Sequence, residues 1–248
     1  MIYLKTKKQI ELMKEACRIT KGMLDIVEKN IKPGVSTLEL DQIAEEYCRS
    51  QGAIPNFKNY NGYPCSICAS VNDVVVHGIP NSNIILKEGD IISIDCGAYI
   101  RGFNGDAART FAVGSISPEK QKLIDVTKQC FFEAIKGLKV GDRIGDIGER
   151  VQTYAESNGF SVVREMVGHG IGKSLHEDPE IPNYGRRGFG PVISSGLCIA
   201  IEPMINMGKK EIVVDNDGWT VRTADKKPSA HYENTIAITD DGIEILTL

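Results

Sequence analysis

The stretch Ile31–Gly52, IKPGVSTLELDQIAEEYCRSQG, has a related counterpart at Leu138–Gly159, LKVGDRIGDIGERVQTYAESNG. Matching residues keep a constant offset of 107 positions, as in the step from residue 31 to residue 138. The same offset relates GDIISID, at Gly89–Asp95, to GLCIAIE, at Gly196–Glu202. Chance coincidence of helix and strand patterns is the alternative, but the unchanged register favours two similar halves, each of helices followed by strands.

Four helices are predicted around these repeats, three of them from signals at their first turns. Thr6-Lys-Lys-Gln9 and Ser36-Thr-Leu-Glu39 fit the capping box, and a proline follows Ser117 at a tolerated first-turn position. A fourth helix is predicted at Ile144–Ser157, and apolar runs predict strands at Ser66–Val71 and Ile91–Ala98. We expect one mixed α/β domain spanning residues 1–248, with halves at roughly 1–115 and 116–248.

The bulk composition narrows the class of protein. The chain has 248 residues, 42% of them hydrophobic and 25% charged, with a formal net charge of -4. This balance offers no basic surplus for nucleic acid or an anionic membrane. The opening segment, MIYLKTKKQIELMKE, has no apolar core typical of a signal peptide, and the seven cysteines are an odd number. We therefore expect a cytoplasmic protein with reduced thiols.

Two aspartates flank a predicted hairpin. Asp95 follows an apolar run, and the glycine-rich segment CGAYIRGFNGDAART leads on to Asp106. Folding about Ile100–Arg101 would place the two carboxylates directly opposite each other, where like charges repel unless a cation separates them. Taken alone, the pair is somewhat better explained as two turn-capping aspartates on a solvated hairpin.

Three further residues favour a metal site over that alternative. Glu202 and Glu233 also lie at the ends of apolar strands, and His169 is flanked by glycines with His176 seven residues later. Four carboxylates and one neutral imidazole carry a charge of -4, which two divalent cations cancel. Such oxygen-rich coordination suits Mn, Fe(II) or Co, with some room for Zn.

With these residues in place, the chain resembles the type I methionine aminopeptidases of bacteria. Their pita-bread fold has two pseudo-symmetric halves and a central curved antiparallel sheet covered by helices. The resemblance extends over essentially the whole chain. It implies removal of the initiator methionine from nascent polypeptides at the ribosome by a monomer, with a preference for a small second residue. The metal ligands that it implies are Asp95, Asp106, His169, Glu202 and Glu233.

The resemblance also implies catalytic and binding roles. Glu202 acts as general base, His176 binds the substrate carbonyl, and His77 contacts the scissile amide. Leu175, Asn61 and Asn234 depart from the family pattern and leave its detailed specificity open. A monovalent cation, Na or K, is implied beside Asn72, Val74 and Ser229. The implied methionine pocket is lined by Phe57, Tyr60, Tyr63, Cys68, His77, His176 and Trp219.

The Cys65-x-x-Cys68 pair is the remaining candidate for metal or redox chemistry. It has no second pair, and no helix start follows to lower a thiol pKa. We predict that neither cysteine is a ligand. Two other functions stay open at this point: an Xaa-Pro aminopeptidase or dipeptidase on the same fold, and a metal-free binding protein that kept the fold.

Overall fold

Four helices form where the sequence predicts them. A computed structural model describes residues 1–248. The helices are α1 at Lys7–Glu28, α2 at Thr37–Ser50, α3 at Pro118–Ile135 and α4 at Ile144–Ser157. The Thr6 and Ser36 side chains accept backbone N–H groups three residues on, and Gln9 and Glu39 complete the two capping boxes. These local signals satisfy N–H groups that a helix start otherwise leaves unpaired.

Fifteen short strands form four sheets in which every strand pair is antiparallel. The strands are β1 Ile54–Pro55, β2 Ile67–Val71, β3 Val74–Val76, β4 Ile91–Ile100, β5 Phe103–Ala112, β6 Ser161–Val162, β7 Gly168–Gly170, β8 Glu177–Ile181, β9 Leu197–Ile201, β10 Met204–Asn206, β11 Ile212–Val214, β12 Val221–Thr223, β13 Ser229–His231, β14 Asn234–Thr239 and β15 Gly242–Ile245. In the two larger sheets, β4 pairs with β1, β2 and β5, and the other order is β15-β14-β9-β7-β8. Two three-stranded sheets, β13-β10-β6 and β11-β12-β3, complete the set.

The offset of 107 residues holds in three dimensions. Helix α4 begins and ends 107 residues after α2. An isolated bridge joins Ser36 to Ile85, and its counterpart joins Arg143 to Val192 at the same offset. Two pseudo-symmetric halves in a mixed α/β fold are therefore present, as predicted. The boundary near residue 115 stays a prediction.

Each half buries its own apolar core. One cluster gathers α1, α2, β4 and β5, and a larger one gathers α3, α4, β9 and β14. A third cluster contains residues of both halves, among them Met13, Phe57, Cys68 and Cys198. Burial of this shared apolar surface joins the halves by the hydrophobic effect. No helix in the structure is both long and apolar enough to cross a membrane.

The hairpin of β4 and β5 has a different register from the one predicted. Its turn is formed by Arg101 and Gly102, both with positive φ, 52° and 85°. Such two-residue turns match the twist of the flanking strands. Asp95 therefore lies opposite Ala108, and Asp106 lies opposite Gly97. The prediction of direct opposition was wrong by two residues, but an even shift keeps both aspartates on one face as diagonal neighbours.

Hydrogen bonds join β5 of the first half to residues 233–235 of the second. The backbone N–H of Glu233 donates to the Ala108 carbonyl at 2.9 Å. The Thr235 hydroxyl accepts from the Asp106 N–H at 3.1 Å and donates to the Asp106 carbonyl at 2.8 Å. This connection holds Asp106 and Glu233 side by side across the boundary between the halves.

Candidate metal centre

Five predicted site residues come together in one cavity of about 430 Å³. His169 Nε2 lies 3.7 Å from Asp106 Oδ2 and 3.8 Å from Glu202 Oε1. Ligand-capable atoms of Asp106, His169 and Glu233 all lie within 4.8 Å of one another. Asp95 and Asp106 come from the first half and line the cavity with His169, Glu202 and Glu233 from the second.

Burial makes this group of acids electrostatically unfavourable without cations. It raises the pKa of Asp95 to about 7. The pKa values of Asp106, Glu202 and Glu233 are raised well above the ordinary value. Burial is the largest cause, and repulsion from the neighbouring carboxylates is the next. One carboxylate oxygen each of Asp95, Asp106 and Glu233 is buried without a hydrogen-bond partner. Unpaired buried oxygens next to an imidazole are suited to divalent cations.

His169 has the tautomer that a ligand requires. Its Nδ1 lies 2.9 Å from the Gly170 carbonyl, which can only accept a hydrogen bond. The proton therefore sits on Nδ1, and the Nε2 lone pair faces Asp106 and Glu202. Burial lowers the pKa of His169 to about 3, so the imidazole is neutral at physiological pH.

The other predicted catalytic histidines line the same cavity. His77 follows β3, and its ring centroid lies 6.4 Å from that of Trp219. His176 precedes β8, and its ring centroid lies 4.2 Å from that of His169. Its Nδ1 is 2.8 Å from the hydroxyl of Tyr60, so the ring is held at the cavity rim.

A mainly aromatic pocket opens onto the acids. Tyr63 and Trp219 pack edge to face with centroids 5.2 Å apart. Leu175 and Asn61, two of the departures from the family pattern, are also in the wall. All the predicted pocket residues line this cavity: Phe57, Tyr60, Tyr63, Cys68, His77, His176 and Trp219.

The two cysteines of the Cys-x-x-Cys pair have different surroundings. Cys68 is buried in the cavity wall, whereas Cys65 does not line it. Burial raises the pKa of Cys65 to about 11 and that of Cys68 well above its ordinary value. All seven cysteines are free, and none belongs to the group with metal-ligand spacing. These surroundings disfavour the thiolate that metal or redox chemistry requires.

Comparison with known proteins gives the family. Residues 11–240 match the model of metallopeptidase family M24. The chain belongs to metallopeptidase family M24. A methionine aminopeptidase of Clostridium acetobutylicum is 52% identical to this M24 chain over 248 residues, with 100% of this chain and 99% of the relative covered.

Solved structures of similar proteins have the same fold as this chain. The crystal structure of methionine aminopeptidase from Rickettsia prowazekii superposes with a TM-score of 0.98 at 42% identity, and the match covers both chains completely. The prolidase from Pyrococcus furiosus has a TM-score of 0.81 at 24% identity, with 99% of this chain and 65% of the prolidase covered. The prolidase match shows the shared fold alone.

One residue next to the acid cluster, His231, was not expected from the sequence. Its Nε2 lies 3.8 Å from Glu202 Oε2 and 3.8 Å from Glu233 Oε2. The side chain is almost fully buried, and burial lowers its pKa to about 3. Its position two residues before Glu233 was the available signal, since residues i and i+2 of an extended chain share a face.

The three residues predicted to hold a monovalent cation lie near one another in the M24 chain. The Ser229 N–H donates to the Asn72 carbonyl at 2.9 Å, and Val74 begins β3 close by. The Lys120 ammonium group donates to Asn72 Oδ1 at 3.1 Å and to the Gly89 carbonyl at 2.6 Å. A fixed positive charge therefore already occupies one side of this region.

Proposed function

We propose that this chain is a methionine aminopeptidase that removes the N-terminal methionine from nascent polypeptides. The observation that carries this proposal is the aromatic pocket next to the acid and imidazole cluster. Its walls include Tyr63, Cys68 and Trp219, which are apolar and polarizable and suit an unbranched thioether. Full-length similarity to methionine aminopeptidases supports the same substrate.

Two divalent ions, Mn, Fe(II), Co or Zn, would be held by Asp95, Asp106, His169, Glu202 and Glu233. When bound, such ions polarise a carbonyl group and lower the pKa of water so that it becomes a nucleophile at neutral pH. The buried and partnerless carboxylate oxygens support this assignment.

The side chains around the centre supply proton transfer and orientation. Glu202 accepts the proton of the attacking water as general base. The Tyr60 hydroxyl lies 2.8 Å from Nδ1 of His176, and when it donates to that nitrogen the His176 proton is on Nε2. The Nε2–H group then donates a hydrogen bond to the substrate carbonyl oxygen as negative charge develops there. His77 contacts the scissile amide and assists departure of the amine.

The cellular setting is part of the same proposal. The substrates are peptides with an N-terminal methionine, met at the ribosome in the cytoplasm by a monomeric enzyme. A small second residue is preferred. Neither nucleic acid nor membrane is a partner. A monovalent cation, Na or K, binds beside Asn72, Val74 and Ser229, where the carbonyl of Asn72 is a suitable oxygen ligand.

Peptide hydrolysis tests the proposal directly. Metal-stripped protein is refilled with Mn, Co or Fe(II) under reducing conditions, and free methionine is measured from Met-Ala-Ser and Met-Lys-Ser. Ala-Pro serves as the control substrate. We expect metal-dependent release from Met-Ala-Ser alone. Cleavage of Ala-Pro instead would assign the protein to the prolyl peptidases, and folded protein inactive with every metal would be a binding protein.

A further inference from the structure

His231 is a buried polar side chain that points into the metal centre without a partner. It is 1% exposed, and its Nε2 atom is buried and makes no hydrogen bond. The two nearest acceptors are Oε2 of Glu202 and Oε2 of Glu233, each at 3.8 Å. This separation is about 0.6 Å beyond the usual upper end of an N–H···O bond, ~3.2 Å. A small rotation of either carboxylate therefore completes a hydrogen bond.

Strands from both halves fix the backbone of His231. Its N–H donates to the Thr110 hydroxyl at 2.9 Å, and that hydroxyl donates to the His231 carbonyl at 2.8 Å. On the other side of β13, His231 pairs with Met204 of β10. The imidazole is therefore attached at a fixed point beside the two carboxylates.

The charge balance favours hydrogen bonding by His231 over direct metal ligation. Its Nε2 lies 3.8 Å from both glutamate oxygens, within the ~4.4 Å that two donors to one ion at about 2.0–2.2 Å can span, so the distances alone allow either role. The five proposed ligands already supply four negative charges for two divalent ions, and a hydrogen-bonding His231 leaves that set unchanged.

We infer that His231 is a positioning residue whose Nε2–H donates to one of the two glutamate ligands, Glu202 or Glu233, and thereby orients that carboxylate for the metal ions. The inference rests on the proposed metal ligands. Hydrogen bonds of this kind to ligating carboxylates typically contribute 10–100-fold to metal affinity.

Two variants distinguish the effect of losing the hydrogen-bond donor from the effect of changing the side-chain volume. His231→Leu removes the donor and fills the space, and His231→Gln keeps a side-chain N–H donor. Mn²⁺ affinity is measured from the electron paramagnetic resonance signal of free Mn²⁺, together with the melting temperature of the metal-free protein. We expect about 10–100-fold weaker Mn²⁺ binding in His231→Leu and recovery in His231→Gln. Thr127→Val, which removes a buried hydroxyl bonded only to the Leu123 carbonyl, is the matched control.

Two results would overturn the inference. One is unchanged Mn²⁺ affinity in His231→Leu. The other is a pair of imidazole nitrogens coupled to Mn²⁺ in the wild-type protein, because a positioning role leaves only that of His169. The number of imidazole nitrogens coupled to Mn²⁺ is measured on the wild-type protein, so it tests the inference even if His231→Leu does not fold. Failure of the proposed function shows separately, as wild-type protein that binds no Mn²⁺ or releases no methionine.

Discussion

The four buried carboxylates make the metal-free protein sensitive to alkaline pH. The folded pKa of Asp95 is about 7, and those of Asp106, Glu202 and Glu233 are well above their ordinary values, so the folded state binds more protons than the unfolded state. Acids with raised pKa values stabilise the fold less as pH rises through those values. Below about pH 6.5 the buried histidines, whose pKa values are lowered, act in the opposite direction. Above about pH 6.5 the acids therefore act without this opposition, and from about pH 8.5 upward the buried thiols, whose pKa values are also raised, lower the stability further.

We expect the melting temperature of the metal-free protein to fall between pH 7 and pH 9. Differential scanning calorimetry in the presence of a chelator measures this. Asp106→Asn removes one of the acids and should flatten the decline. A melting temperature that is constant or rises over this interval would contradict the pKa argument.

The histidines His77 and His176 are expected to affect turnover rather than metal content. Loss of one hydrogen-bond donor to a developing oxyanion typically costs about 10²–10³ in kcat. We therefore expect His176→Ala and His77→Ala to reduce methionine release by at least about 10²-fold while bound metal, measured by mass spectrometry, stays at the wild-type level. His169→Ala is the comparison variant, in which metal should be lost. Metal loss in His77→Ala or His176→Ala would make these residues ligands.

The paired cysteines provide a test of whether a thiol matters. Cys65 lies outside the pocket, and burial raises its pKa. We expect Cys65→Ser to keep nearly full activity and metal content. Cys68→Leu adds bulk to the pocket wall and should raise KM for Met-Ala-Ser. Kinetic measurements on the two variants would show this difference. A large loss of activity in Cys65→Ser would contradict the prediction and indicate that the cysteine pair is functional.

At the scale of elements, the segment before α1 supports the loop that carries His176. Lys5 Nζ forms an ion pair with Glu177 at 2.6 Å, and both side chains are nearly inaccessible, at 5% and 6% exposure. Glu177 also accepts the backbone N–H of Ser174 at 3.2 Å. Removal of one partner of a buried pair leaves an uncompensated charge, which typically costs about 3–5 kcal/mol.

Lys5→Met should therefore lower the free energy of unfolding by about 3–5 kcal/mol and reduce kcat by loosening the loop. The matched control is Lys7→Met, because the ion pair of Lys7 with Asp241 is solvent-exposed and such pairs contribute about 0–1 kcal/mol. Chemical denaturation of the two variants measures the difference. An equal loss of unfolding free energy in both variants would show that the buried ion pair does not stabilise this loop.

Elements were predictable where the signal was local. The two capping boxes appear as expected, because each depends on residues within a single turn of helix. The span of α4 also appears as expected, because it repeats the pattern of α2 at the 107-residue offset. The hairpin register was not predictable from the position of the two aspartates. It depends on which two residues take positive φ, and Arg101 does so although it is not glycine. Register follows turn geometry, and the turn was placed one residue too early.

For the molecule as a whole, the candidate metal centre lies between the halves. Asp95 and Asp106 belong to one half, and His169, Glu202 and Glu233 belong to the other. Divalent ions bound there would stabilise the association of the two halves in the folded chain. Free Mn²⁺ at 100 times its Kd contributes about 2.7 kcal/mol, or a rise in melting temperature of about 5–10 °C. Thermal denaturation with and without Mn²⁺ measures this, and no rise in the wild-type protein would contradict binding to the folded state.

Which acids approach one another was predictable from the duplication, because equivalent strands of two similar halves end near a common axis. His231 was not found, since a single histidine in a short apolar stretch is usually a core residue. Its contact with Glu202 arises from the packing of β13 on β10, which joins segments distant in sequence. Tertiary contacts of this kind are outside what hydrophobic periodicity can show.

The equivalence of Asp95 and Glu202 also says something about descent. Each lies at the same place in its own half, 107 residues apart, and neither half alone brings all five proposed ligands. A half-length ancestor would have acquired the complete set only by pairing with a second copy about a two-fold axis. Gene fusion would then have freed the two copies to diverge, and the different ligands of the two halves are what such divergence would produce.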